Sequence, residues 1–163
     1  MESVIISYDD VKSFDKALNM LDSSITELRN VSHNMMPEQL NRHGLVGAMT
    51  NFCGNMEDVS FRFFGTAVRV DSKIEIFVYH SVKELIINAL KHAYATKIIV
   101  HLFLEPDRIA LSVVDNGKGF EPNTEHTGTG LSGIRSRIEF FKGKIDLNSQ
   151  PGKGAEVMIE IPL

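Results

Sequence analysis

HSVKELIINALKHA (80–93), DNGKGF (115–120) and GTGLSGI (128–134) follow one another through the middle of this 163-residue chain. The first describes a helix with one polar face. The second sets an acidic residue on a glycine turn, and the third is a glycine-rich start of a helix. One site that holds a nucleotide and a divalent metal accounts for all three.

On the first stretch Glu84, Asn88, Lys91 and His92 stand at i, i+4, i+7 and i+8, a single stripe of a helix. Val82, Leu85, Ile86, Ala89 and Ala93 occupy the other side. A stripe of this kind is also what any solvated helix face looks like. Asn88 argues against that reading, because asparagine is a modest helix former with no local reason to sit mid-helix. Its neutral oxygen suits Mg²⁺, which takes few protein ligands and fills its shell with phosphate and water. Asp115 closes a strand and precedes Asn-Gly-Lys-Gly, ordinary turn chemistry in itself. A carboxylate there can also accept the exocyclic amino group of adenine, with glycines letting backbone approach the base. Gly128, Gly130 and Gly133 leave backbone N–H groups uncovered at a helix start, which attracts phosphate. A glycine triad alone is weak evidence. Order and spacing of the three together make the signal.

Outward from these stretches, apolar residues Phe14, Ala17, Leu18, Leu21, Ile25, Leu28 and Val31 recur at helical spacing, and Pro37 ends the run. An amphipathic helix standing ahead of the main domain needs an apolar cover, from its own domain or from a partner helix. A second helix is expected over about 38–56, weakened by Gly44, Gly47 and Gly54. VSFRFFGTAVRV (59–70) reads as a strand or hairpin kinked near Gly65. The motif helix should run from Lys73 to about Tyr94. A hairpin follows, with Ile98, Val100, Leu102 and Leu104 alternating on one strand and Ile109, Leu111 and Val113 on the other. After a lid-like segment at 121–127, a helix over 131–141 and a last hairpin of 144–149 and 156–163 complete the pattern. Helices and antiparallel hairpins without a strict βαβ rhythm predict an α+β, two-layer sandwich: a mixed, mostly antiparallel sheet with helices on one face.

The formal net charge is −4 and there is no Lys/Arg block, which makes nucleic acid a poor partner. Cys53 is the single cysteine, so no internal disulfide is available, a reducing compartment is the default, and a small buried hydrophobe is the plain reading of the residue. No apolar run approaches the roughly 20 residues of a membrane span. A cytoplasmic location without membrane contact from this fragment is the expectation.

The order ELIINALKHA, DNGKGF, GTGLSGI, then GKG (152–154) in the last hairpin, resembles the asparagine box and two glycine boxes of the GHKL ATPase superfamily. Within it the chain is similar to sensor histidine kinases of the NarX/DesK/LytS-like type, through NALKHA and the short lid between Phe120 and Gly128. ITELRNVSHNMMPEQL (25–40) is similar to the second helix of their dimerisation domain. The resemblance covers about residues 14–163. It implies the Bergerat ATP-binding fold over 37–163, behind a lead-in and partial dimerisation helix at 1–36. It implies ATP and Mg²⁺ as cofactors, with Glu84 as general base or orienting carboxylate, Asn88 as metal ligand, and Lys91 and His92 on the phosphates. Asp115 would read adenine, Gly117 and Gly119 would shape the base pocket, and Gly128, Gly130, Leu131 and Gly133 would form the lid hinge and phosphate-binding helix start. The implied reaction transfers the γ-phosphoryl group of ATP to a histidine, for relay to a response regulator. The implied partners are the parent kinase's dimerisation and phosphoacceptor helix, that regulator, and a second kinase chain in a full-length homodimer that could carry a membrane anchor.

Two departures stand out. Ala155 follows GKG where the family often has threonine, which removes one hydroxyl near the base. None of the six histidines (33, 43, 80, 92, 101, 126) is followed by Asp or Glu, as the family's phosphoacceptor is. The acceptor is therefore expected outside this chain, and His33, followed by Asn34, is a weak pretender. An anti-sigma-factor-type serine kinase and a non-catalytic, nucleotide-dependent dimerisation module remain alternatives.

Overall fold

The computed structural model describes residues 18, 20, 21, 24, 37–121 and 129–163. The chain divides into two compact units, Met1–Met35 and Met36–Leu163. In the first, residues 18, 20, 21 and 24 are helical, and the rest of the amphipathic run expected from Phe14 to Val31 lies outside the described residues. So do the segment 122–127, Gly128, His33 and His126.

The second unit is a five-stranded sheet in the order β1-β2-β3-β5-β4: β1 Val59–Gly65, β2 Ile98–Leu104, β3 Arg108–Asp115, β4 Lys144–Ser149 and β5 Ala155–Pro162. β1 and β2 are parallel, joined through helix α2 (Ser72–Lys91), and the other pairs are antiparallel. The expected mixed, mostly antiparallel sheet is what forms. Alternation does the sorting: Ile98, Val100, Leu102 and Leu104 are buried, and the residues between them are half-buried. β3 and β5 repeat the pattern with Ile109, Leu111, Val113 and with Val157, Ile159, Ile161. Helix α1 (Glu38–Gly54) packs on β1 and α2, and α3 (Thr129–Phe140) packs on β4 and α2. Leu40, Met49, Val78, Val82, Ile86 and Ile138 have at most 1 % of their surface exposed. Each aliphatic side chain so buried contributes about 1.5–3 kcal/mol by leaving water.

Several boundaries differ from the sequence expectation, each because of a contact made in the fold. α1 is kinked at Gly44, where φ is 64° and ψ is −179°. A Cβ there would stand 3.2 Å from Arg69 Cδ. Strand β1 stops at Gly65 (φ 112°), where a Cβ would fall 2.1 Å from the Leu104 carbonyl oxygen. The remainder of the expected strand or hairpin, 66–70, leaves the sheet to deliver Arg69. Its Nε donates to both oxygens of Glu75 at 2.9 and 3.1 Å, and its terminal nitrogens reach Glu75 and the Asn41 carbonyl. Glu75 is fully buried, so removing Arg69 would strand a charge in the core.

Cys53 is buried, and burial pushes its thiol up to about 11. At pH 8 roughly one thiol in a thousand would be ionised. Native protein is expected to resist iodoacetamide for hours and to react fully once unfolded in guanidinium, as followed by mass spectrometry.

Candidate functional site

α2 begins with an N-cap: the Asp71 side chain accepts the Lys73 N–H at 2.8 Å. Its apolar face, from Ile74 to Ala89, fixes which side faces the sheet. That rotation places the Glu84–Asn88–Lys91–His92 stripe along the flank. Glu84 and Asn88 are half-buried, and Lys91 and His92 are exposed. Neither the Glu84 nor the Asn88 side chain is hydrogen-bonded to another described residue. A half-buried carboxylate and amide with no hydrogen-bond partner among the described residues leave bonding capacity open to water or a ligand.

The helix ends at Lys91, three residues before the expected Tyr94. The Asn88 carbonyl accepts the N–H groups of both His92 and Ala93, at 2.9 and 3.2 Å, and Ala95 N–H reaches the Ala89 carbonyl at 3.0 Å. The turn out of the helix passes through Tyr94 at φ 53°, a left-handed conformation uncommon for an aromatic residue. This places Ala93 against the 115–120 loop. The Lys118 N–H donates to the Ala93 carbonyl at 2.9 Å, and a Cβ on Gly117 would lie 2.5 Å from Ala93 Cβ. Gly117 is therefore required by close approach, as its place in the motif suggests.

Asp115 ends β3 between Ile98 and Ala155 in register. Its Oδ1 accepts the Gly117 N–H at 2.8 Å. One carboxylate oxygen thus holds the loop, and the half-buried carboxylate keeps lone pairs for another donor. Gly119, at φ 61°, lies against the last hairpin, where a Cβ would come 2.0 Å from the Gln150 carbonyl oxygen. Gly154 (φ 77°) in turn abuts the Asp115 carbonyl, and Gly152 N–H donates to the Lys118 carbonyl at 2.6 Å. The structure thus gathers Asp115, Gly117 and Gly119 into one loop, clamped between the end of α2 and the β4–β5 turn.

Two further residues build this clamp, Ser149, which carried no sequence signal, and Asn116, which the sequence marked only as a turn residue. Ser149 is buried, accepts the Phe120 N–H at 2.9 Å and donates to the Gly154 carbonyl at 2.9 Å. Asn116 Oδ1 accepts the N–H groups of Thr96 and Lys97 at 3.0 and 2.9 Å, while its Nδ2 donates to Thr96 Oγ1 at 3.1 Å. Asparagine in a turn is expected, but only the fold shows which backbone it ties. Ser149→Ala would leave a half-buried N–H and a buried carbonyl without their partner, at about 1–3 kcal/mol. A fall of several degrees in melting temperature, together with weaker ATP binding, is the expected result by scanning fluorimetry and calorimetry.

α3 supplies the remaining candidates. Leu131 is half-buried and packs against the core beside Ile134 and Ile138, and Gly130 lies in the first helical turn. A Cβ on Gly133 would meet nothing within 4 Å, so packing does not demand glycine there. Gly128 lies outside the described residues. Among the described residues no three of His, Cys, Asp and Glu converge as a metal cage. The donor set at hand, one neutral amide oxygen on Asn88, suits a magnesium ion whose other ligands are phosphate oxygens and water.

Comparison with known proteins follows the same lines. Residues 73–163 match the family described as "Histidine kinase-, DNA gyrase B-, and HSP90-like ATPase". The chain is 27 % identical over 165 residues to the signal transduction histidine-protein kinase/phosphatase DegS of Brevibacillus brevis, covering 93 % of this chain and 43 % of DegS. It is 33 % identical over 146 residues to the oxygen sensor histidine kinase NreB of Staphylococcus carnosus, covering 85 % of this chain and 42 % of NreB. The chain thus spans less than half the length of these curated relatives. Among solved structures, the histidine kinase domain of the Erythrobacter litoralis EL346 blue-light activated histidine kinase shares the fold. Its TM-score is 0.54 at 21 % identity, covering 71 % of this chain and 60 % of that one. By its matched sequence and its sheet, the chain belongs to the histidine kinase-, DNA gyrase B- and HSP90-like ATPase family.

Proposed function

We propose that this chain is the ATP-binding catalytic part of a two-component sensor histidine kinase, transferring the γ-phosphoryl group of ATP to a histidine outside the chain. The observation that carries the reading is the Asp115 carboxylate, anchored by the Gly117 N–H in a loop clamped on both sides. An acceptor so fixed is preorganised for the exocyclic amine of adenine, with Gly117 and Gly119 keeping the base pocket free of side chains. Lys91 and His92 would meet the phosphates, together with the backbone N–H groups at the start of α3, where Gly130, Leu131 and Gly133 lie and which Gly128 precedes in sequence. A bound magnesium ion would neutralise phosphate charge, with Asn88 as its protein ligand. Glu84, four residues earlier on the same stripe, would hold and then accept the proton of the attacking imidazole. In the transfer the bond from the γ-phosphorus to its bridging oxygen breaks, a P–N bond forms, and ADP leaves. Positioning and charge neutralisation do most of the work in such a reaction.

Helical Leu18 and Leu21 are 44 % and 59 % exposed, which suits a stripe awaiting a partner helix of a dimerisation domain. The relatives' printed names, both histidine kinases, favour histidine over serine as acceptor. A response regulator would take the phosphoryl group onward, and a cytoplasmic site follows from that role. The first test is calorimetric titration of ATP with and without Mg²⁺, followed by transfer of labelled phosphate to a separately made dimerisation domain bearing the acceptor histidine. Metal-assisted binding with acid-labile labelling of that domain is expected. Binding without labelling, or acid-stable labelling of a serine-bearing antagonist protein, would overturn the histidine kinase reading.

A further inference from the structure

The helices cover one face of the sheet, and the other face has a composition of its own. Register fixes its rows. Phe64, Phe103, Ala110, Glu160 and Lys144 run across the five strands at one height. Arg62, His101, Ser112, Met158 and Asp146 run across at the next. Aromatic residues gather on the β1–β2 side: Phe64 stacks on Phe103 with centroids 4.7 Å apart, and His101 meets Phe64 edge-on at 5.9 Å. Phe64 is 44 % exposed and Met158 45 %, so large apolar side chains remain in water on this face. The β5–β4 side carries Asp146, Glu156 and Glu160 and a shallow groove of about 180 Å³ beside Phe103, Met158, Lys144 and Glu160. The β1–β2 half carries aromatic side chains and Arg62; the β5–β4 half carries three carboxylates, of which Glu160 is ion-paired to Arg108 at 3.4 Å, with Lys144 beside them.

From this polarity we infer that the open face pairs with the same face of a second copy of this chain. The inference is independent of the proposed kinase activity. A two-fold axis parallel to β3 carries the β1 side of one copy over the β4 side of the other without changing height along the strands. Arg62 then faces Asp146 of the second copy, and Phe64 projects toward the second copy's groove beside Lys144 and Glu160. A two-fold about the perpendicular in-plane direction, passing through the Arg62 row, would set Arg62 on Arg62 and Asp146 on Asp146, which the charges oppose. The first operator pairs the lone arginine of one edge with the acid of the other and makes the face complementary to itself. Two twisted sheets meeting in this way would pack in the aligned manner of a β-sandwich, about 10 Å apart. At about 4.8 Å between strands and 3.3 Å per residue, the face measures about 20 Å each way, or roughly 400–500 Å² per copy. That is about half the area of a standard stable interface, so the contact is a weak one, formed at dissociation constants on the order of 100 µM and strengthened when the two copies are tethered.

Sedimentation velocity on the full chain, from about 10 µM to 1 mM, tests this, with thermal melts as a fold control. Wild type should show reversible, concentration-dependent dimerisation that weakens with salt. Phe64→Glu should raise the dissociation constant at least about tenfold. Arg62→Glu and Asp146→Arg lie at exposed positions that leave the core intact, and each should raise it about fivefold or more by setting like charges opposite one another. The two combined in a single chain should restore it to near wild type, because the symmetry pairs each swapped residue with the other. A chain that stays monomeric at 1 mM overturns the inference. Association indifferent to all three substitutions also overturns it and moves the contact elsewhere, to residues 1–36 for example. Failure of the double swap to restore association rules out the proposed axis.

Discussion

Asp115→Asn is expected to lower ATP affinity by at least about 100-fold while leaving the fold intact. The geometry says why so small a change should cost so much. Asp115 Oδ1 is engaged by the Gly117 N–H at 2.8 Å, so an amide in its place would turn its oxygen toward that donor to keep the loop closed. Its NH₂ then stands where the second carboxylate oxygen stood. In the proposed pocket that sets a donor against the exocyclic amine of adenine, also a donor. A charge-assisted hydrogen bond contributes about 1.5–3 kcal/mol, and leaving a buried donor unpaired adds a penalty of similar size. A site built around one polar contact rejects its mismatch far more strongly than a missing methyl group. The same logic gives a second readout. Guanine presents an acceptor at the position of adenine's amine, so the mutant's preference for ATP over GTP should shrink as its ATP affinity falls. Titration of both nucleotides into wild type and mutant checks this, and an unchanged ATP affinity would remove Asp115 from the pocket.

What sequence can reveal of such a pocket depends on how local the cause is. β2 and β3 were legible because a half-buried hairpin must alternate, and the glycines at 117 and 119 because tight backbone approach leaves few other residues possible. The family resemblance then assigned them roles. The parts that were not legible are set by contacts distant in sequence. VSFRFFGTAVRV has β-propensity throughout, yet only 59–65 joins the sheet, since Arg69 is drawn away to Glu75 and to the Asn41 carbonyl on α1. An acidic residue in a first helical turn reads as solvent-facing, and nothing in SKIEIF marks Glu75 as the fully buried end of an ion pair. α2 ends earlier than its sequence suggests because Tyr94 gives no warning of a left-handed turn; the loop below it, through Lys118 N–H and Gly117, takes up the space a further turn would need. Ser149 is one hydroxyl at a strand end, and only the register that brings Gly154 and Phe120 to it gives it work. Gly133 differs again, for the motif marks it while packing leaves it open, so its glycine answers to something other than the described neighbours.

Glu84→Ala is expected to retain ATP binding within about threefold and to lose phosphoryl transfer by about 100-fold or more. Glu84 and Asn88 are neighbours one turn apart on α2, both half-buried and neither hydrogen-bonded to another described side chain, yet the proposal gives them separate tasks. Asn88 belongs to the nucleotide through the metal, so its loss should weaken binding in the presence of Mg²⁺. Glu84 belongs to the acceptor, which is absent when ATP alone is titrated. Removing a half-buried anion from beside the phosphates could even tighten nucleotide binding slightly, since like charges repel. A positioned general base contributes about 10²–10⁴-fold in rate, which sets the scale of the loss. Glu84→Gln separates the two ways a carboxylate could act. The amide keeps size and a hydrogen-bonding oxygen but cannot take a proton, so orientation alone would leave the Gln variant well above Ala, whereas proton transfer would put the two together. Calorimetry for binding and single-turnover labelling of an acceptor domain for transfer make the division visible. If both quantities fell in parallel in Glu84→Ala, the carboxylate would be part of the nucleotide site, and the base would have to come from the acceptor's own helix.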